Sequence, residues 1–204
     1  MHKVFISYHH KNDQTYKNAL VNWNNSVHAF IDKSVDTGDI SDELSDESIR
    51  VKIRDEYLQD STVTILLVGT ETKNRKHVDW ELYSSMYDGA VNKKSGIVVV
   101  LLPSITNGRK HRHAAHGNEE KDLYPDVSNW TSVKSRESIL WGGYEHIPER
   151  IIDNLISGNA YISVTTWDDI CQNPNILVKL IDLANSDRAK CDYDLSRRMR
   201  RNNS

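Results

Sequence analysis

The stretch Val63–Asp88, VTILLVGTETKNRKHVDWELYSSMYD, decides how this chain folds. Its first seven residues, Val63 to Gly69, are continuously apolar and rich in β-branched side chains, the pattern of a strand covered on both faces. A polar loop follows, and then a helical pattern from His77 to Ala90. Trp80, Ser84 and Tyr87 fall on one line of that helix, and Leu82 and Met86 on another. Ile97 to Leu102, IVVVLL, is a further buried strand, halted by Pro103. Strand, helix and strand at this spacing predict a right-handed parallel crossover.

The chain on either side repeats the alternation. Val4 to Tyr8, VFISY, reads as a central strand running out into polar Ser7, His9, His10 and Asn12. Asp13 is placed to cap a helix reaching about Asn24, and Val27 to Asp32 reads as a second strand. Lys33 to Asp46, with Gly38 and several Ser and Asp, has the composition of an exposed loop. Ser45 or Asp46 caps the next helix. Its buried stripe is Ile49, Ile53 and Tyr57 or Leu58, with Arg50, Lys52, Arg54, Asp55 and Glu56 on the solvated face.

Beyond Pro103, Ser104 to Ile147 is too long for an ordinary connection and carries no sustained periodicity, so it reads as an insertion. Its His111, His113 and His116 lack the HExxH or Cys spacing of a metal site, and a solvated loop is the favoured reading. Trp130, Trp141, Gly142, Gly143 and Tyr144 are aromatic enough to pack on the body. Pro148 opens a helix ending at Gly158, and Tyr161 to Thr165 is a last strand. Thr166 and Asp169 have capping-box spacing, and Pro174 restarts a helix. Residues 191–204, ending RRMRRNNS, read as a frayed basic tail on a single domain of residues 1–190.

Five strands alternating with helices predict a doubly wound parallel sheet of order 2-1-3-4-5, whose crevice opens between the ends of the first and third strands. Those ends are Ser7 to His10 and Gly69 to Thr72, and the helix carrying Glu81 starts close by. Taken alone, Glu81 is an early-helix carboxylate of the kind that is commonly solvated and favours the helix dipole.

Composition excludes several classes. A net charge of −3 and a pI near 6.3 give no general attraction to nucleic acid or membrane. Cys171 and Cys191 form no framework, the N-terminus shows no signal-peptide pattern and no apolar run reaches a membrane span, so a cytoplasmic protein is expected. A P-loop, a GxGxxG turn and a GxSxG elbow are all missing, and the strand ends lack the carboxylates of a phospho-receiver.

VFISYHHKND and DSTVTILLVGTETKNRKHVDWELYSSM, with IVVVLLP after them, resemble TIR domains, and more closely the TIR-like proteins of the prokaryotic Thoeris anti-phage systems. The similarity spans roughly the first half of the chain. It implies cleavage of the nicotinamide–ribose bond of NAD+, with Glu81 as catalytic residue. It also implies a cyclic ADP-ribose-type product that reaches a partner effector by diffusion, simple hydrolysis being the lesser outcome. Ser7, Tyr8, His9 and Trp80 are the implied pocket residues. Ser7 and His9 could equally finish their strand in solvent, and Trp80 could belong to the core. NAD+ enters as substrate, and no metal or separate cofactor is implied. A phage-derived trigger and homo-oligomerisation fit the resemblance. A non-catalytic TIR-like assembly module, and a relative acting on another base–sugar bond, stay open as alternatives.

Overall fold

Val63–Val68 forms β3, the middle strand of a five-stranded sheet, and each of its six residues is buried. The computed structural model describes residues 1–34, 40–41, 43–139 and 143–203. Gly38 of the expected loop and Trp141 and Gly142 of the expected insertion lie outside the described residues. The remaining strands are β1 (His2–Ser7), β2 (Phe30–Asp32), β4 (Gly96–Leu101) and β5 (Ile162–Thr166). All pair in parallel in the order β2-β1-β3-β4-β5, as expected.

Alternation along the strands divides the core. Val4, Ile6, Ile65, Leu67, Val98 and Val100 face helices α1 (His10–Val27) and α8 (Asn175–Asp187), where Leu20, Leu177, Leu180 and Ile181 meet them. Leu66, Val68, Ile97, Val99 and Val164 face α3 (Lys76–Met86) and α6 (Glu149–Ser157) through Leu82, Met86, Ile151 and Ile152. Each such side chain contributes about 1.5–3 kcal/mol by leaving water, which is why both faces of these strands are apolar. Gly96 lets α8 lie against β4, because a Cβ there would meet the Ala184 carbonyl oxygen at 2.2 Å.

Several boundaries differ from expectation for local reasons. Val27 belongs to the last turn of α1 and not to β2. His28 ends the helix in the left-handed region, and the Asn24 amide clamps the Phe30 N–H and carbonyl at 2.9 and 3.0 Å, starting the strand there. Asp13 is not the cap of α1 but a buried residue in its first turn, His9 being the capping position. Ser45 does cap α2 (Asp46–Lys52), which continues as a π-helical turn, Ile53–Leu58. Arg54 is buried rather than solvated. Its guanidinium donates to the Asn92 and Lys93 carbonyls and Ser95 Oγ, tying down the loop before β4. Arg50 is buried as well, 3.9 Å over the Tyr87 ring just past the end of α3, which stops at Met86 and not Ala90.

The described parts of segment 104–147 hold only short helical turns, among them α4 (Pro103–Thr106) and α5 (Asn118–Lys121). A two-residue antiparallel bridge joins His113 to Val164 of β5. Arg112 forks onto Asp169 at 2.6 and 2.7 Å in α7 (Trp167–Gln172). His116 is no solvated loop residue. Its ring is buried, with Nδ1 2.7 Å from Asp187 and the ring stacked on Tyr161. His113 Nδ1 lies 2.9 Å from the Thr131 carbonyl.

The expected frayed tail is also corrected. Residues 191–203 return across α6 and α3, where Arg150 donates to the Arg197 and Arg198 carbonyls and Met199 is buried beside Trp80 and Phe5. Basic composition concealed this because the segment docks through its backbone and through side chains whose partners are remote in sequence, among them Met199, Tyr193 on the Ser95 carbonyl and Arg197 on Asp153. No helix among the described residues is long and apolar enough to cross a membrane.

Candidate active site

β1 and β3 are neighbours whose following segments diverge, one into α1 and the other through a short turn, Thr72–Asn74, into α3. Divergence at this point leaves a crevice at the carboxyl ends of the strands. Ser7 ends β1, and its Oγ donates to Glu81 Oε2 at 2.6 Å, with both side chains buried. A charge-assisted bond of that length fixes the carboxylate's orientation. Glu81 retains contact with a cleft of about 330 Å³ whose other walls include Tyr8, His9, Arg75 and His77.

The cleft is rich in cationic and imidazole groups. Lys11 from the first turn of α1 and Arg75 from the start of α3 contribute to it, together with His10. Arg75 is partly balanced by Glu71 at 2.7 Å. Burial, and then the charge of Arg75, push the His9 imidazole below its ordinary range. His9 Nδ1 is buried and has no hydrogen-bond partner among the described residues. Tyr8 donates from its hydroxyl to Gln14 at 2.7 Å and stacks on His10 at 4.5 Å between centroids.

Behind the strand ends, Thr72 Oγ1 accepts from the Gly69 N–H at 2.8 Å and donates to Asp13 Oδ2 at 3.3 Å. Burial raises the Asp13 carboxyl above its ordinary range, with the Thr72 hydrogen bond acting in the opposite direction. This cluster links the first turn of α1 to the end of β3 and so holds the two edges of the cleft together.

Of the residues singled out in the sequence, Ser7, Tyr8, His9 and Glu81 come together here. Trp80 does not. It is fully buried with Phe5, Ile49, Ile53 and Met199, and its Nε1 donates to the Arg200 carbonyl at 2.7 Å. One helical residue step, about 100°, separates it from the cleft face that Glu81 occupies. Lys11, Arg75 and His77 were missed, although all three lie inside the stretches that carried the resemblance. Asn203, also on the cleft, had no local signal at all.

A second, more apolar groove of about 240 Å³ lies between α1 and α7, lined by Trp23, Trp167, Ile170 and Leu177. It has no carboxylate or cation in its walls, so it supplies shape without chemistry. The cleft at Glu81 instead offers an oriented buried carboxylate in the same wall as cationic side chains, fixed charges of both signs facing one cavity.

Residues 5–107, just over half of the chain, match the family described as Thoeris protein ThsB, TIR-like domain. The match contains the end of β1 from Phe5, all of β3 and α3, and every cleft residue named above except Asn203. No curated protein matches the chain.

Proposed function

The chain belongs to the Thoeris ThsB TIR-like domain family, a defence-related TIR group, and on that premise we propose that it cleaves the nicotinamide–ribose bond of NAD+ at Glu81. The observation that carries this reading is the 2.6 Å Ser7–Glu81 hydrogen bond in the wall of a cleft that also presents Lys11 and Arg75. The two cations suit the dinucleotide's phosphates, and the held carboxylate suits its ribose.

The chemistry requires little else. As the C1′–N bond breaks, its electron pair goes to the pyridinium nitrogen and nicotinamide leaves neutral, so no general acid is needed. Positive charge then develops on the sugar, where a fixed carboxylate is most stabilising in a site of low dielectric. Attack on C1′ by a nucleophile of the same molecule, with loss of its proton, gives a cyclic ADP-ribose-type product. Attack by water gives ADP-ribose. We favour the cyclic product as a diffusible signal to a partner effector, made in the cytoplasm under a phage-derived trigger or on homo-oligomerisation.

The competing reading is a non-catalytic assembly module, and the near-complete burial of Glu81 favours it, since the bond to Ser7 would then only tie α3 to β1. Mass spectrometry of NAD+ incubated with the protein and with Glu81→Gln separates the two. The enzyme reading expects turnover in the wild type and a loss of about a hundredfold or more in the variant. Equal turnover by both would remove Glu81 from the chemistry. If purified protein is silent, extracts of phage-challenged cells must contain a nucleotide that depends on intact Glu81, and its absence with undiminished protection by the variant favours the assembly module.

A further inference from the structure

We propose that Asn203 completes the candidate site from outside the family-matched segment, as a positioning residue that caps the Glu81 helix and as a rim against which the bound nucleotide rests. Helix α3 begins without a side-chain cap of its own, because Arg75 at the capping position makes none. Asn203 Oδ1 supplies one from the far end of the sequence, accepting the Lys76 N–H at 2.9 Å across 127 positions. Asparagine is among the residues best suited to this task, since its side-chain oxygen replaces a missing intrahelical acceptor.

Three further anchors bring that side chain to the helix. The Arg200 N–H donates to Asp79 Oδ2 at 2.8 Å, Trp80 Nε1 donates to the Arg200 carbonyl, and Met199 is buried in the cluster that contains Trp80. Asp79, Trp80 and Glu81 are consecutive, so the residues that hold the returning segment immediately precede the proposed catalytic one. Asn203 itself also borders the Glu81 cleft, alongside Lys11 and Arg75. A wild-type Asn at this place adds no charge to a cleft that already holds a carboxylate.

The rim role rests on the NAD+ reading, whereas the capping role does not, and two variants divide them. Asn203→Ala removes both functions. Asn203→Asp keeps the acceptor for the Lys76 N–H, with a carboxylate favourable at a helix N-terminus, but places a negative charge beside the cleft. Hydrogen exchange should show the Lys76 to Val78 amides of Asn203→Ala exchanging about fivefold faster than wild type, and those of Asn203→Asp as protected as wild type. Kinetics on NAD+ should show a lower kcat for Asn203→Ala. Asn203→Asp should keep kcat and raise KM about tenfold, as expected when a like charge faces the phosphates.

Unchanged exchange in Asn203→Ala overturns the cap, and an unchanged KM in Asn203→Asp overturns the rim. If the purified wild type cleaves no NAD+, the functional reading is decided separately by the extracts of phage-challenged cells. The rim is then judged by equilibrium binding of ADP-ribose to wild type and Asn203→Asp. Equal affinity, or no binding by either, overturns it, and the cap is still decided by exchange.

Discussion

Asp13 and Gly69 approach so closely that a Cβ at position 69 would lie 2.5 Å from Asp13 Oδ1. A carboxylate has been packed against backbone at the hinge of the cleft, and its desolvation has a measurable sign. Burial raises its folded-state pKa, so the folded chain holds this proton more tightly than the unfolded chain does. The group therefore contributes stability that is present below the unfolded value of about 3.9 and is lost as pH rises through the raised folded value. Asn at position 13 can still accept from Thr72 but carries no charge. Asp13→Asn should match wild type most nearly at about pH 3.5, gain Tm over it as pH rises through the raised folded value, and hold that gain at pH values above it. A difference that stays flat across thermal melts at these pH values would show that burial of charge is not what Asp13 costs. Nothing in the sequence marks this role. An Asp two or three residues into a helix looks like a cap or a dipole partner, and only the neighbouring strand end, 59 positions away through Thr72, makes it a buried acid.

At the scale of elements, the strands and the amphipathic helices were legible because burial follows periods that a sequence displays directly. The stripe Ile49, Ile53 and Leu58 and the run Val63 to Val68 are buried where the pattern put them. Arginines were not legible, because a buried guanidinium has the same letter as a solvated one and its partner is remote. Arg150 sits within the apolar stripe region of α6, fully buried. It forks onto Asp79 of α3 at 2.9 and 3.0 Å and onto two carbonyls of the returning segment. Removing one member of such a pair leaves the other charge buried and uncompensated, at a cost of about 3–5 kcal/mol. Arg150→Met should therefore lose that much in denaturant unfolding and raise exchange at the Arg200 amide, whose acceptor is Asp79. Arg150→Lys, which keeps the charge without the fork, should recover only part of the loss. A cost below about 1 kcal/mol for Arg150→Met, the range of exposed pairs, would mean that the segment is held by its other anchors, such as Met199 beside Trp80 and Asp194 on Asn154, and not by the Arg150 fork.

Across the whole molecule, strand order decides which features can affect one another. The cleft lies at β1 and β3, and β4 separates it from β5, where residues 112 and 113 of segment 104–147 are pinned, although the far end of that segment meets the turn after β3, His146 Nδ1 lying 3.2 Å from the Thr70 carbonyl and Lys73 donating to the Glu145 carbonyl. That pin is the Arg112–Asp169 fork, with Thr166 Oγ1 donating to the same carboxylate at 2.8 Å and Lys110 3.5 Å away. Burial alone would raise the Asp169 pKa, but the bonds from Arg112 and Thr166 outweigh it and hold the carboxyl below its ordinary range. A depressed folded pKa contributes stability that is present above the unfolded value and is lost as pH falls through the folded one. Arg112→Met should lower Tm on the order of 10 °C at pH 7, following from a cost of about 3–5 kcal/mol in a chain of this size. The gap between variant and wild type should narrow once pH falls below about 4, as the carboxyl protonates whether or not its partner is present. Exchange at the His113 and Val164 amides, which bond to each other's carbonyls at 2.9 Å, should rise in the variant. On the proposed NAD+-cleaving reading, Glu81-dependent turnover of the folded variant should stay at the wild-type level, since β4 and β3 stand between the pin and the cleft. Turnover that falls in step with the loosening of His113 would instead make the segment a regulator of the cleft, with the contacts of Glu145 and His146 to Lys73 and Thr70 as its direct route.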